Sequence, residues 1–171
     1  AIPVMLLVVI LEVAAPETVW SGGVSLAAAA VLLARMLGWQ TLKTFKIPLV
    51  WVLHAGYLWL PVGFALKGLS IFGVLDNPTA ALHALTAGGI GTMILAVGSR
   101  AALGHSGRPL VASPATVLSY VLVLAAAVLR VFVDTDWALT AAGLSWTLGW
   151  GVFSVAYWPV LAHPRIDGKP D

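Results

Sequence analysis

PTAALHALTAGGIGTMILAVGSRAALGHSGRP, residues 78–109, decides how this chain folds. It starts as an apolar stretch long enough to cross a membrane, read over residues 79–98, and it ends in a basic loop rich in Gly, Ser and Pro. Asn77-Pro78 just before it is a helix start, a cap residue followed by proline at the first position. Two of the four histidines lie here, His83 and His105, with Arg100 and Arg108 and the small residues Gly88, Gly89 and Gly91. A histidine inside hydrocarbon needs a partner. Glycines cluster in a membrane helix where another helix or a flat ligand comes close to the backbone.

The rest of the chain reads as further spans around this one. Of the 171 residues, 60% are hydrophobic and 9% are charged, against about 25% charged in a soluble domain. The chain is therefore expected to be an all-α polytopic bundle embedded in the lipid bilayer. It holds about six spans, near residues 1–14, 19–39, 48–66, 79–98, 115–133 and 137–161. The first is truncated, because a span needs about 20 apolar residues. The chain starts at Ala1, without Met and already inside an apolar run, and so reads as the C-terminal part of a longer protein and as one transmembrane domain. Pro61 lies within the third span, where a kink and a freed Tyr57 carbonyl are expected.

Charge orients the layout. Arg35, Lys43, Lys46, Arg100, Arg108, Arg165 and Lys169 fall on one side, and only Lys67 and Arg130 on the other. Under the positive-inside rule the loops at 40–47 and 99–114 and the C-terminus are cytoplasmic. Scattered basic residues with a net charge of +2 give no nucleic-acid footprint. The absence of cysteine excludes disulfides, cysteine-ligated clusters and thioether-attached haem. No span carries Asp, Glu or Lys near its centre, which argues against an ion-driven transporter.

His54, well inside the third span, is either a buried histidine bonded to a neighbouring helix or an axial haem or copper ligand. His83 shares a four-residue spacing with Ala87 and Gly91. That stripe suits either close helix packing or a flat ligand beside His83, with Gly88 and Gly91 as its smooth wall. Arg100, His105 and Arg108 form a cationic group. It is read as a topology signal, or as a clamp for haem propionates through the planar guanidinium fork, with His105 a metal-ligand candidate.

PLVWVLHAGYLWLPVGFALKGLS at 48–70, ALHALTAGGIGTMILAVGSRAALGHSGRPL at 81–110 and PRIDGKPD at 164–171 resemble the NnrS family. The resemblance implies a polytopic protein of the bacterial inner membrane, tied to nitric oxide, nitrosative stress and denitrification. It implies haem, taken as haem b, and copper as cofactors, and nitric oxide as a ligand. It makes His54, His83, Arg100, His105 and Arg108 the matching motif positions, without dividing them between haem and copper. Partners implied are other membrane subunits or an N-terminal half. Whether the protein is an enzyme is left open. The competing readings are a structural or accessory subunit whose histidines only bridge helices, and a small-molecule permease.

Overall fold

The computed structural model describes residues 1–168; Lys169, counted above with the cytoplasmic basic residues, and the last residues of the PRIDGKPD stretch lie outside them. The described residues fold as helices without strands. The elements are α1 (Ile2–Ala14), α2 (Val19–Leu37), α3 (Pro48–Ile71), α4 (Pro78–His83), α5 (Thr92–His105), α6 (Pro114–Phe132) and α7 (Asp136–Ala162). A π-helical segment, Ala84–Gly91, joins α4 to α5 in one continuous rod, and a short 3-10 turn covers Thr41–Thr44. Among the described residues five helices are long and apolar enough to cross a membrane, the rod from Thr79 to His105 counting as one, and α1 is a shorter apolar helix. This is an all-α membrane bundle.

The helix starts follow from their cap residues. Asn77 Oδ1 accepts from the Ala80 N–H at 3.1 Å, and Ser113 Oγ accepts from the Thr116 N–H at 3.2 Å. Thr18 does the same for Ser21 at 3.3 Å. Two span ends differ from the sequence reading. The third span runs to Ile71 rather than stopping at 66. The fourth continues to His105, so the loop expected from Arg100 onward is helical for its first turns. Ser99 lets the helix stay buried there, because its hydroxyl bonds the Leu95 carbonyl at 2.7 Å and the Tyr120 hydroxyl across the interface. Pro61 is buried inside α3, and the helix continues through it.

Three apolar clusters hold the bundle. Leu49 and Val52 of α3 meet Leu95 and Ala96 of α5, Tyr120 and Val123 of α6, and Tyr157 of α7. Val8, Ala28, Ala29, Leu32 and Phe64 join α1, α2 and α3. Trp59, Ala80, Ala84, Ala127 and Val131 join α3, α4 and α6. Lys67 pairs with Glu12, linking α3 to α1. Hydroxyl-to-carbonyl bonds add to the packing: Ser119 to Gly149 and Ser145 to Leu122, each 2.8 Å, tie α6 to α7. The outward faces carry Leu118, Val121, Leu144, Leu148 and Val155, all exposed. Such a surface suits a lipid environment, where helices satisfy their own backbone.

Candidate functional site

His54 lies on α3, and its ring packs 5.5 Å from that of Trp39. Trp39 also covers Tyr57 at 4.4 Å. The Nδ1 of His54 and the hydroxyl of Tyr57 are both sealed from solvent, and neither has a hydrogen-bond partner. A buried, unpaired ring nitrogen is costly in an apolar interior. It fits a site whose natural occupant is a metal or a hydrogen-bonding ligand.

His83 closes α4 and is partly exposed. Its Nδ1–H donates to the Thr79 carbonyl at 2.7 Å. That bond leaves the Nε2 lone pair as the ligand atom, the arrangement usual for a metal-binding imidazole. His83 thus also fits a metal ligand, with its orientation already held by the backbone.

The two histidines do not converge. Gly56 of α3 faces Met93, and Gly63 faces Leu85, so α3 runs antiparallel to the rod containing α4 and α5. His83 is then level with about residue 65 of α3, and its depth differs from that of His54 by roughly 16 Å at 1.5 Å per residue. Among the described residues no group of three or more His, Asp or Glu side chains comes together. Each imidazole therefore stands in its own surroundings.

Gly88 and Gly91 are taken up by the protein's own flat groups. A Cβ on Gly88 would lie 2.2 Å from Trp59, and one on Gly91 would lie 2.5 Å from Trp146. The π segment also changes the spacing rule that links His83, Ala87 and Gly91. Its hydrogen bonds span five residues rather than four, so positions four apart no longer stack on one stripe.

The cationic group gathers at the other end of α5. Arg100 and His105 line one cleft of about 490 Å³ together with Leu53, the chain neighbour of His54. His105 also lines a second cavity of about 540 Å³ with Phe153, His163 and Arg165. Arg108 Nη1 donates to the Val160 carbonyl at 3.4 Å. The Ile166 N–H donates to the Ser106 carbonyl at 3.1 Å, and Arg165 pairs with Asp167 at 2.6 Å. The LGHSGRP loop and the PRID tail, far apart in sequence, are thus one layer. Trp39, Tyr57 and His163 were not singled out as site residues from sequence. Only Tyr57 left a signal, its three-residue spacing from His54.

The model of the family described as NnrS protein matches residues 1–165. The chain belongs to the NnrS family. No curated protein and no solved structure matches it. The match to NnrS begins well before Pro48, where the motif resemblance starts, and takes in α1, α2 and the Trp39 turn. It ends at Arg165, within the tail that this NnrS chain packs on its α5–α6 loop.

In that loop Gly107 has φ +71°, and a Cβ there would lie 2.5 Å from Asp167 Cγ. Left-handed backbone costs a non-glycine residue roughly 1–2 kcal/mol. Asp167 belongs to an exposed tail and can swing aside, giving up its pair with Arg165. Gly107→Ala is therefore expected to loosen residues 163–168 and leave the bundle folded. Trypsin cleavage after Arg165 should speed up several-fold while thermal unfolding stays near the parent; an unchanged cleavage rate would count against the loop–tail layer.

Proposed function

We propose that this chain is a haem protein of the bacterial inner membrane that acts in the response to nitric oxide, with His54 and His83 as metal ligands at two separate depths. NnrS membership supports the nitric oxide role. The observation that carries the metal assignment is the buried, unpartnered Nδ1 of His54 inside a membrane helix. His83 supports it through its held Nδ1–H. Haem iron, when bound, supplies a centre that takes nitric oxide and passes electrons. Copper is the second metal in this reading, with His105 its candidate ligand beside His163.

The chain's own residues do the rest. Trp39 keeps water from His54. Arg100 and Arg108 supply positive charge at the rim, where carboxylates such as haem propionates are neutralised by the guanidinium fork. The excess of basic residues at the Arg100, Arg108 and Arg165 end supports a cytoplasmic C-terminus.

The test is the visible absorption spectrum of the purified, complete gene product, oxidised and reduced, with haem extracted and quantified. The expected result is a Soret band whose reduced form changes when nitric oxide is added. A colourless protein, made with haem supplied, would sink the haem reading and favour a structural subunit whose histidines only hold helices together.

A further inference from the structure

Arg130 lies on α6 two residues before its end, at the pole of the bundle opposite Arg100 and Arg108. It is half-buried. A cation inside a membrane span normally pairs with a neighbouring side chain or a backbone carbonyl. Among the described residues Arg130 makes neither an ion pair nor a side-chain hydrogen bond. Asp134 and Asp136 follow it in the turn to α7, yet both are exposed and neither pairs with it. Lys67, the other basic residue at this pole, is already paired with Glu12.

Arg130 instead lines a cleft of about 270 Å³ between α6, α7 and the π segment. Among the described residues of that lining it is the only charge. The walls are Ala87 of the π segment and Leu139, Gly143 and Trp146 of α7. Thr147 lines the cleft too, but its hydroxyl donates to the Gly143 carbonyl at 2.9 Å. Along α7 the lining runs from Leu139 to Thr147, about 12 Å at 1.5 Å per residue. Leu139, Gly143 and Thr147 are exposed on the outer surface of the bundle, so the cleft opens sideways into the bilayer. Its volume falls below the roughly 300–1,000 Å³ of pockets for drug-sized ligands. It suits a phosphate group and a length of one acyl chain.

We propose that this cleft holds one phospholipid. The Arg130 guanidinium donates to the lipid phosphate, which its planar fork grips bidentately. One acyl chain descends between Ala87 and Gly143 against Trp146. A slot with a single cation near its wet end, uncharged along its length and open to the bilayer, matches a lipid better than a free anion. The inference is independent of the metal sites.

The test is native mass spectrometry of the complete gene product, released from a non-ionic detergent with phosphatidylethanolamine added. The parent is expected to keep one lipid more per chain than Arg130→Gln. The apparent affinity should fall roughly tenfold or more in that variant, as for a lost charge-assisted hydrogen bond. Gly143→Leu fills the cleft from α7 and leaves Arg130 in place. Nothing lies within 4 Å of a Cβ there, and leucine favours a helix. It should lose the same lipid, and it carries the test if Arg130→Gln fails to fold. Gly151→Leu, at an equally open position of α7 outside the cleft, should keep the lipid. Equal lipid in the parent, Arg130→Gln and Gly143→Leu overturns the proposal. Loss in Gly151→Leu as well would mean unspecific boundary lipid and overturns it too. So does displacement of the lipid by inorganic phosphate that Gly143→Leu binds as the parent does, the mark of a free-anion site.

Discussion

Gly88→Ala is expected to destabilise the bundle by about 3 kcal/mol, the upper end for inserting a methyl group into a packed core. The added carbon would lie 2.2 Å from Cδ2 and 2.5 Å from Cγ of Trp59. Whether that matters depends on whether Trp59 can move. It is 7% exposed and packs with Ala80, Ala84, Ala127 and Val131. Its ring also stacks on Phe132 at 6.0 Å. A rigid indole confined on these sides has no free rotamer to retreat into, so the π segment must shift away from α3. Gly56 is the control, because a Cβ there would meet first the Sδ of Met93 at 2.9 Å, on a flexible side chain that can turn aside. Gly56→Ala should cost clearly less than Gly88→Ala, and Trp59→Phe should partly rescue Gly88→Ala. Thermal unfolding in mild detergent reads all of these. A Gly88→Ala protein as stable as the parent would mean that Trp59 is not wedged there.

His54→Ala and His83→Ala should remove different signals. A depth difference of roughly 16 Å, at 1.5 Å per helical residue, keeps the two imidazoles from sharing one iron. His54→Ala is expected to abolish the absorption of the centre beneath Trp39 and leave any His83-dependent metal in place. The converse holds for His83→Ala. Metal and haem content, measured beside the spectrum, should fall in separate portions whose sum matches the double variant. Complete loss of one and the same band in both single variants would contradict the antiparallel register of α3 against the rod, with Gly56 at Met93 and Gly63 at Leu85.

The spans were legible because apolar length is a direct readout of bilayer thickness. The starts at Asn77 and Ser113 were legible because a cap acts within three residues of itself. The end of the fourth span was not. Ser99, Arg100, Gly104 and His105 look like loop residues when the chain is read locally. Burial of Ser99 depends on Tyr120, twenty-one residues away on another helix. The π segment left no pattern beyond its glycines, since backbone hydrogen bonds of either span use the same donors. At the site, His54 and His83 stood out from sequence because a polar ring in hydrocarbon is rare. Their separation did not, because it comes from how α3 registers against its neighbour. Trp39 was invisible for the same reason: it reaches His54 only through the turn at Gln40, whose left-handed backbone no residue type there announces.

The wide turn at Ala84–Gly91 also sets the phase of the rod it interrupts. One π turn is equivalent to one inserted residue, and it rotates everything beyond it by about 100° against a regular helix. The two ends of this span therefore keep different time. Residues 78–83 are phased to Trp59 and Val131, and residues 92–105 to Leu49, Val52 and Tyr120. The segment acts as a slip joint between them. A gain or loss of one residue within it is absorbed as a change of turn type, whereas the same change after Thr92 would swing Ser99 a quarter turn or more away from Tyr120. Length variation in this span is thus tolerable at one place and not at the other, although both are equally apolar.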